Sequence, residues 1–102
     1  MKRMLFATLA VGLVTTAGLA QAQSDPLQVR SWAAGCASCH GTDGHALKGM
    51  PPLAGKSQAD MTDKLLAYKS GSAPSTIMQQ LAKGYTDEQL AAIAGYFAAQ
   101  KK

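Results

Sequence analysis

Cys36, Cys39 and His40 stand together as Cys-Ala-Ser-Cys-His, and C-x-x-C-H is the pattern of covalent haem attachment. Two thiols three residues apart on one helical turn can each form a thioether to a haem vinyl group. The next residue then puts an imidazole under the iron. Three blander chemistries compete for the same atoms: a thioredoxin-like dithiol, half of a zinc site, or a simple disulfide. The dithiol wants a βαβ context, which the sequence does not offer. Zinc wants four ligands, yet there are only two Cys, and His45 is the only His besides His40. Haem attachment uses all three residues of the motif, so redox chemistry at a haem iron is the leading reading.

The elements that must position this motif read as helices throughout. Asp25 followed by Pro26 is an N-cap and first helical position. Val29, Trp32, Ala33 and Cys36 follow at i, i+3, i+4 and i+7, which predicts that the first Cys lies on the apolar face of that helix. A Gly- and Pro-bearing loop from Gly41 to Lys56 is too irregular for an element and long for an idle connection. It is expected to wrap something. Ser57-x-x-Asp60 reads as a capping-box variant opening a helix with Met61, Leu65 and Tyr68 on one side, ending near Ser70 and Gly71. Pro74 to Lys83 reads as a short helix with Ile77, Met78 and Leu81 on one face, stopped by Gly84. The last helix opens with the capping box Thr86-x-x-Gln89 and has Asp87 and Glu88 in its first turn. Leu90, Ile93, Ala94 and Phe97 form its buried stripe, and Lys101 and Lys102 close its negative end. The fold class is all-α.

Lys2 and Arg3, the uncharged apolar stretch Met4 to Ala20, and Ala20-Gln21-Ala22 read as a signal peptide cleaved after Ala22. A membrane anchor is the competing reading of the same run. The small Ala- and Gly-rich residues and the well-placed cleavage site favour export and removal. Residues 23–102 then form one small domain, with no membrane span and with a core modest enough to need a staple. A covalently held haem is that staple. Loss of Lys2 and Arg3 lowers the formal charge from +4 to +2, so the basic balance is partly a targeting feature. Lys48, Lys56, Lys64, Lys69 and Lys83 are scattered without interleaved aromatics, which argues against nucleic acid.

The order of an N-terminal helix running into the motif, a proline-bearing loop, intermediate helices, a Met-bearing segment and a C-terminal helix with a late aromatic resembles the class I cytochromes c. Gly41 to Ser57, GTDGHALKGMPPLAGKS, is similar to small periplasmic bacterial members with a CHGxDG start and a PxLAG end. The segment KSGSAPSTIMQQLAKGYT, followed by AGYF, resembles the cytochrome subunit of flavocytochrome c sulfide dehydrogenases. The resemblance implies one covalent haem c on Cys36 and Cys39, with His40 as one axial ligand and a Met as the other. Met1 and Met4 leave with the signal peptide, Met50 follows His40 closely, and Met61 sits in an amphipathic helix where core packing explains it. Met78, in the Thr76-Ile77-Met78 segment, matches the family's ligand. The resemblance also gives the Pro51 carbonyl as the acceptor that orients His40, and Gly35 with Tyr96 as the pair through which the terminal helices cross. Trp32 reads as packing, with a hydrogen bond to a haem propionate as the alternative role for it or Tyr68. His45 reads as an exposed or hydrogen-bonded surface residue.

Two functions carry this pattern. One is a soluble periplasmic shuttle moving single electrons between redox protein partners. The other, favoured by the Thr76 to Thr86 segment, is the haem subunit that takes electrons from a sulfide-oxidising flavoprotein. A haem enzyme or gas sensor needs an open iron and so the absence of Met78 ligation. No residue is implied to be catalytic.

Overall fold

The computed structural model describes residues 24–102, so the expected signal peptide, Met1–Ala22, lies outside the described residues. Among the described residues there are five short α-helices and no strand: α1 Pro26–Ala34, α2 Ala37–His40, α3 Gln58–Ser70, α4 Met78–Lys83 and α5 Asp87–Ala98. A 3₁₀ turn at Thr42–Gly44 lies between α2 and α3. The all-α reading holds. No described helix is long and apolar enough to cross a membrane.

The helix starts obey their local signals. The Asp25 carboxylate accepts the Leu27 N–H at 3.1 Å with Pro26 at the first position of α1. The Ser57 hydroxyl accepts the Asp60 N–H at the start of α3. In α5 the box is complete, Thr86 Oγ1 accepting from Gln89 N and Gln89 Oε1 from Thr86 N. Each bond satisfies one of the orphan N–H groups of a first turn. α3 stops at Gly71, whose φ of +83° gives the left-handed turn that ends a helix.

Three boundaries depart from the sequence reading. α1 ends at Ala34, and Cys36 is the N-cap of α2 rather than a residue of α1. The expected placement survives the break, because Cys36 N bonds to Ala33 O and the side chain still packs on the core. α4 begins at Met78 and not at Pro74. Ile77 has non-helical angles, and Ser75 Oγ reaches past it to accept the Gln79 N–H, capping the helix from three residues outside. Lys101 and Lys102 lie beyond the end of α5, where the Gln100 side chain donates to the Tyr96 carbonyl in their place.

α5 is the organising element, packing against both α1 and α3, while α4 packs on α3. Its stripe of Leu90, Ile93, Ala94 and Phe97 is buried as the spacing requires. Ile93 and Phe97 meet Ala33 of α1 in the main cluster, with Trp32, Cys36, Leu53, Met61, Tyr85 and Tyr96 half-buried around it. Trp32 and Met61 are therefore packing residues, as read from the sequence.

Candidate functional site

The motif occupies one turn. Cys36 caps α2, His40 closes it, and the His40 N–H returns to the Cys36 carbonyl at 2.9 Å. Cys36 is half-buried, Cys39 is exposed, and the two are not joined as a disulfide. Burial pushes the Cys36 thiol above its ordinary value, the opposite of the depressed value an activated dithiol requires. Among the described residues no group of three or more His, Cys, Asp or Glu is arranged to hold a bare metal ion.

The loop after the motif returns to His40. His40 Nδ1 donates to the Pro51 carbonyl at 2.8 Å. The expected partner is Pro51 and not its neighbour Pro52. With Nδ1 so engaged, the ring presents Nε2, and this nitrogen makes no hydrogen bond among the described residues. A metal-bound His is held in this manner, since the second nitrogen fixes both tautomer and ring orientation.

Two glycines make the return path tight. Gly41, at φ +80°, has no room for a Cβ, which would lie 2.1 Å from the His45 carbonyl oxygen. Gly44, at φ +81° and buried, would bring a Cβ within 2.9 Å of Leu53, Ala54 and Phe97. Its carbonyl accepts from both Leu53 N and Ala54 N at 2.9 and 3.2 Å, closing the loop on itself. His45 is exposed, with Nδ1 3.1 Å from Thr42 O and Nε2 2.6 Å from Lys101 O, and its ring N–H donates to one or other carbonyl according to the tautomer. This matches its expected surface role.

Sequence reasoning missed the partner of Tyr96. Gly35 was expected to face it, but a Cβ on Gly35 would meet the Trp32 carbonyl and the Tyr85 hydroxyl. Tyr96 instead donates its hydroxyl to the Asp43 carboxylate, 53 residues earlier, and its ring stands edge-on to Phe97. The bond to Asp43, reinforced by burial and by the carboxylate's charge, raises the Tyr96 phenol above its ordinary value, with Arg30 of α1 pulling the other way. Asp43 is the one non-glycine of positive φ, at +54°, among the described residues. The Asp-Gly pair was the available signal, because Asp tolerates this conformation and turns favour the pair.

The remaining candidates lie elsewhere. Met78 is half-buried at the start of α4, and Met50 is exposed in the loop. Tyr68 is half-buried, with Lys64 Nζ 5.9 Å from its ring centre. Among the described residues the protein's own core is small: seven buried apolar residues, four of them Ala. Leu47, Ile77 and Leu81 remain 83, 54 and 47% exposed. A chain of this size needs more apolar burial than that. A porphyrin held at Cys36 and Cys39 would supply it, and the oriented imidazole with a free Nε2 supplies the iron's donor, so the residues present fit a haem.

The comparisons agree. The family model for cytochrome c matches residues 29–101. The chain is 47% identical over 62 residues to the cytochrome subunit of sulfide dehydrogenase from Chlorobaculum tepidum, covering 61% of this chain and 56% of that one. It is 36% identical over 85 residues to cytochrome c4 from Pseudomonas aeruginosa, covering 82% of this chain and 42% of that one. It is 36% identical over 70 residues to cytochrome c-554(548) from Halomonas halodenitrificans, covering 65% and 84%. The chain thus spans about half the length of the first two relatives.

Proposed function

The chain belongs to the cytochrome c family, and from that premise we propose that it is a periplasmic monohaem cytochrome serving as the electron-accepting haem subunit beside a sulfide-oxidising flavoprotein. Membership makes it an electron carrier with covalently attached haem c. Bound at the motif, the haem supplies a one-electron iron couple.

The chain's own residues do the holding. Cys36 and Cys39 would provide the two thioether sulfurs, His40 would provide Nε2 to the iron, and Met78 would provide a neutral thioether as the second protein ligand. The observation that carries this assignment is the 2.8 Å bond from His40 Nδ1 to Pro51 O, which commits the imidazole to one tautomer and raises its basicity as a ligand. For Met78 the support is by comparison of the candidates. Met61 is spent on the core, and Met50 lies in the loop that carries Pro51.

The subunit role rests on similarity to the sulfide dehydrogenase cytochrome subunit and on the Thr76 to Thr86 segment. A free shuttle between respiratory partners is the second reading, favoured by the cytochrome c4 similarity, which covers more of this chain. The two differ in residence: a subunit needs a large apolar interface, and a shuttle a small polar one. Purification of the native protein from its periplasm separates them. Co-elution with a larger flavin-containing chain at fixed stoichiometry is expected, and a haem peak of the small chain alone would overturn the subunit role.

A further inference from the structure

The loop that carries Pro51 is itself held from α5. Tyr96 Oη donates to Asp43, and Asp43 lies in the 3₁₀ turn that begins two residues after His40. The same turn presents the Gly44 carbonyl to Leu53 N and Ala54 N, two and three residues after Pro51. Three separate hydrogen-bonded links, Tyr96 to Asp43, Leu53 and Ala54 to Gly44, and His40 Nδ1 to Pro51, are thus joined by the short stretches of backbone between Asp43 and Gly44 and between Pro51 and Leu53. No other side chain of α5 bonds to this turn among the described residues. Asp43 is held in a left-handed conformation that most residues avoid, and beside the turn's own backbone bonds the bond to Tyr96 is the restraint that reaches it from α5.

We infer that Tyr96 and Asp43 are a positioning pair for His40: by fixing the turn, they fix the Pro51 carbonyl and with it the orientation and donor strength of the imidazole. The inference rests on the reading of His40 as the haem ligand. A role in stability alone is distinguished by where the effect falls. Loss of general stability loosens α3, α5 and the loop together, whereas loss of a positioning bond loosens the loop and the His40 ring first.

The test uses the haem-loaded protein and three variants. Tyr96→Phe removes the hydroxyl and keeps the ring against Phe97. Asp43→Ala removes the acceptor. Asp43→Asn keeps an acceptor oxygen and tolerates the left-handed conformation, so it is the rescue. Hydrogen exchange read by NMR should quicken roughly threefold to tenfold at the His40 Nδ1 proton and at Leu53 N and Ala54 N in the first two variants, as expected for loss of one hydrogen bond. Asp43→Asn should stay close to wild type, and the amides of α3 should be unmoved in all three. The reduction potential should rise in Tyr96→Phe, because a looser Nδ1 bond makes His40 a weaker donor to ferric iron, and here no charge has changed.

Wild-type exchange at all three protons in Tyr96→Phe, or equal quickening across α3 and α5, would overturn the inference. A separate variant guards the premise. His40→Ala should abolish the low-spin haem spectrum; if that spectrum persists, the ligand reading fails, whatever the exchange at Leu53 and Ala54 shows.

Discussion

The loop between His40 and Lys56 and the segment between Gly71 and Gly84 both follow the motif in sequence, and they are built in opposite ways. The loop is braced from afar: Tyr96 grips Asp43, the Lys101 carbonyl takes His45, and Gly55 N reaches the Phe97 carbonyl at 2.9 Å. Among the described residues the later segment bonds to itself, to the end of α3 and to the adjacent Tyr85 N–H. Ala73 N reaches Ala67 O, Gln79 N reaches Ser75 Oγ, and Gln80 N and Leu81 N reach Ile77 O. Its one buried residue is Ala82, while Ile77 and Leu81 are bare. Protein contacts alone orient His40; Met78, the proposed second ligand, sits in a segment whose Ile77 and Leu81 are 54 and 47% exposed. The difference teaches that the His40 side is held by protein alone, whereas under the proposed ligand set the Met78 side is completed by the haem.

Removing the haem should therefore give the largest effect, and an uneven one. A chain expressed without haem should lose fixed tertiary structure, with the Gly71–Gly84 segment unprotected first and the α1–α5 contact last. Amide exchange on the haem-free chain reads this directly. Well-dispersed signals from Ile77 to Lys83 would refute the dependence. Cys36→Ala or Cys39→Ala should leave at most one thioether and a poorly matured protein, and haem extracted from the wild type by acid acetone would contradict covalent attachment.

Truncations in the two halves sharpen the contrast within the loaded protein. Phe97 is buried at the α1–α5 cluster, so Phe97→Ala should cost about 3–5 kcal/mol in denaturant unfolding. Leu81 is half exposed to solvent on the protein side. Any cost of Leu81→Ala should then come from lost contact with the haem, present in the loaded protein and absent from the haem-free one. Equal costs in both forms would mean that α4 is held by protein after all.

The proposed Met ligand is the next test in size. A thioether favours ferrous iron, so Met78→Ala should lower the potential, remove the weak charge-transfer band of ferric His–Met haem and admit small ligands to the iron. Met61→Ala should keep the band and cost stability, since Met61 packs on the Ala33–Ile93–Phe97 cluster. Met50→Ala should do neither. Loss of the band in Met61→Ala with its retention in Met78→Ala would reverse the assignment.

The same contrast explains what was legible in the sequence. Caps and the haem motif act over three or four residues, so Asp25-Pro26, Thr86 with Gln89, Gly71 and the Cys36 to His40 turn could be read directly. The stripe of α5 was legible because its burial follows the helical period. The start of α4 was not, because a serine outside the helix caps it and the local pattern from Pro74 onward looks equally helical. The hydrogen-bond partner of Tyr96 was missed for a different reason. Its partner is set by how α5 crosses the loop, and no local spacing links positions 43 and 96.

The smallest expected effect concerns pH and falls on the braced half alone. The Tyr96 phenol is raised by its bond to Asp43, then by burial and by the carboxylate's charge. The folded protein therefore keeps this proton when the unfolded chain, with a phenol near its ordinary value of about 10, has lost it. Between those two values the native state binds more protons, so its stability falls as pH rises. The contribution is complete below the ordinary phenol value and is gone once pH has passed through the raised one. Phe has no such proton. The stability difference between wild type and Tyr96→Phe should be constant from about pH 7 to about pH 9 and shrink above about pH 10, measured by denaturant unfolding of both proteins in the same buffers. Differencing the two removes every other alkaline titration they share. A difference that stays constant through this range would mean that the hydroxyl is not held by Asp43 in solution, and that the loop's bracing rests on His45 and Gly55 instead.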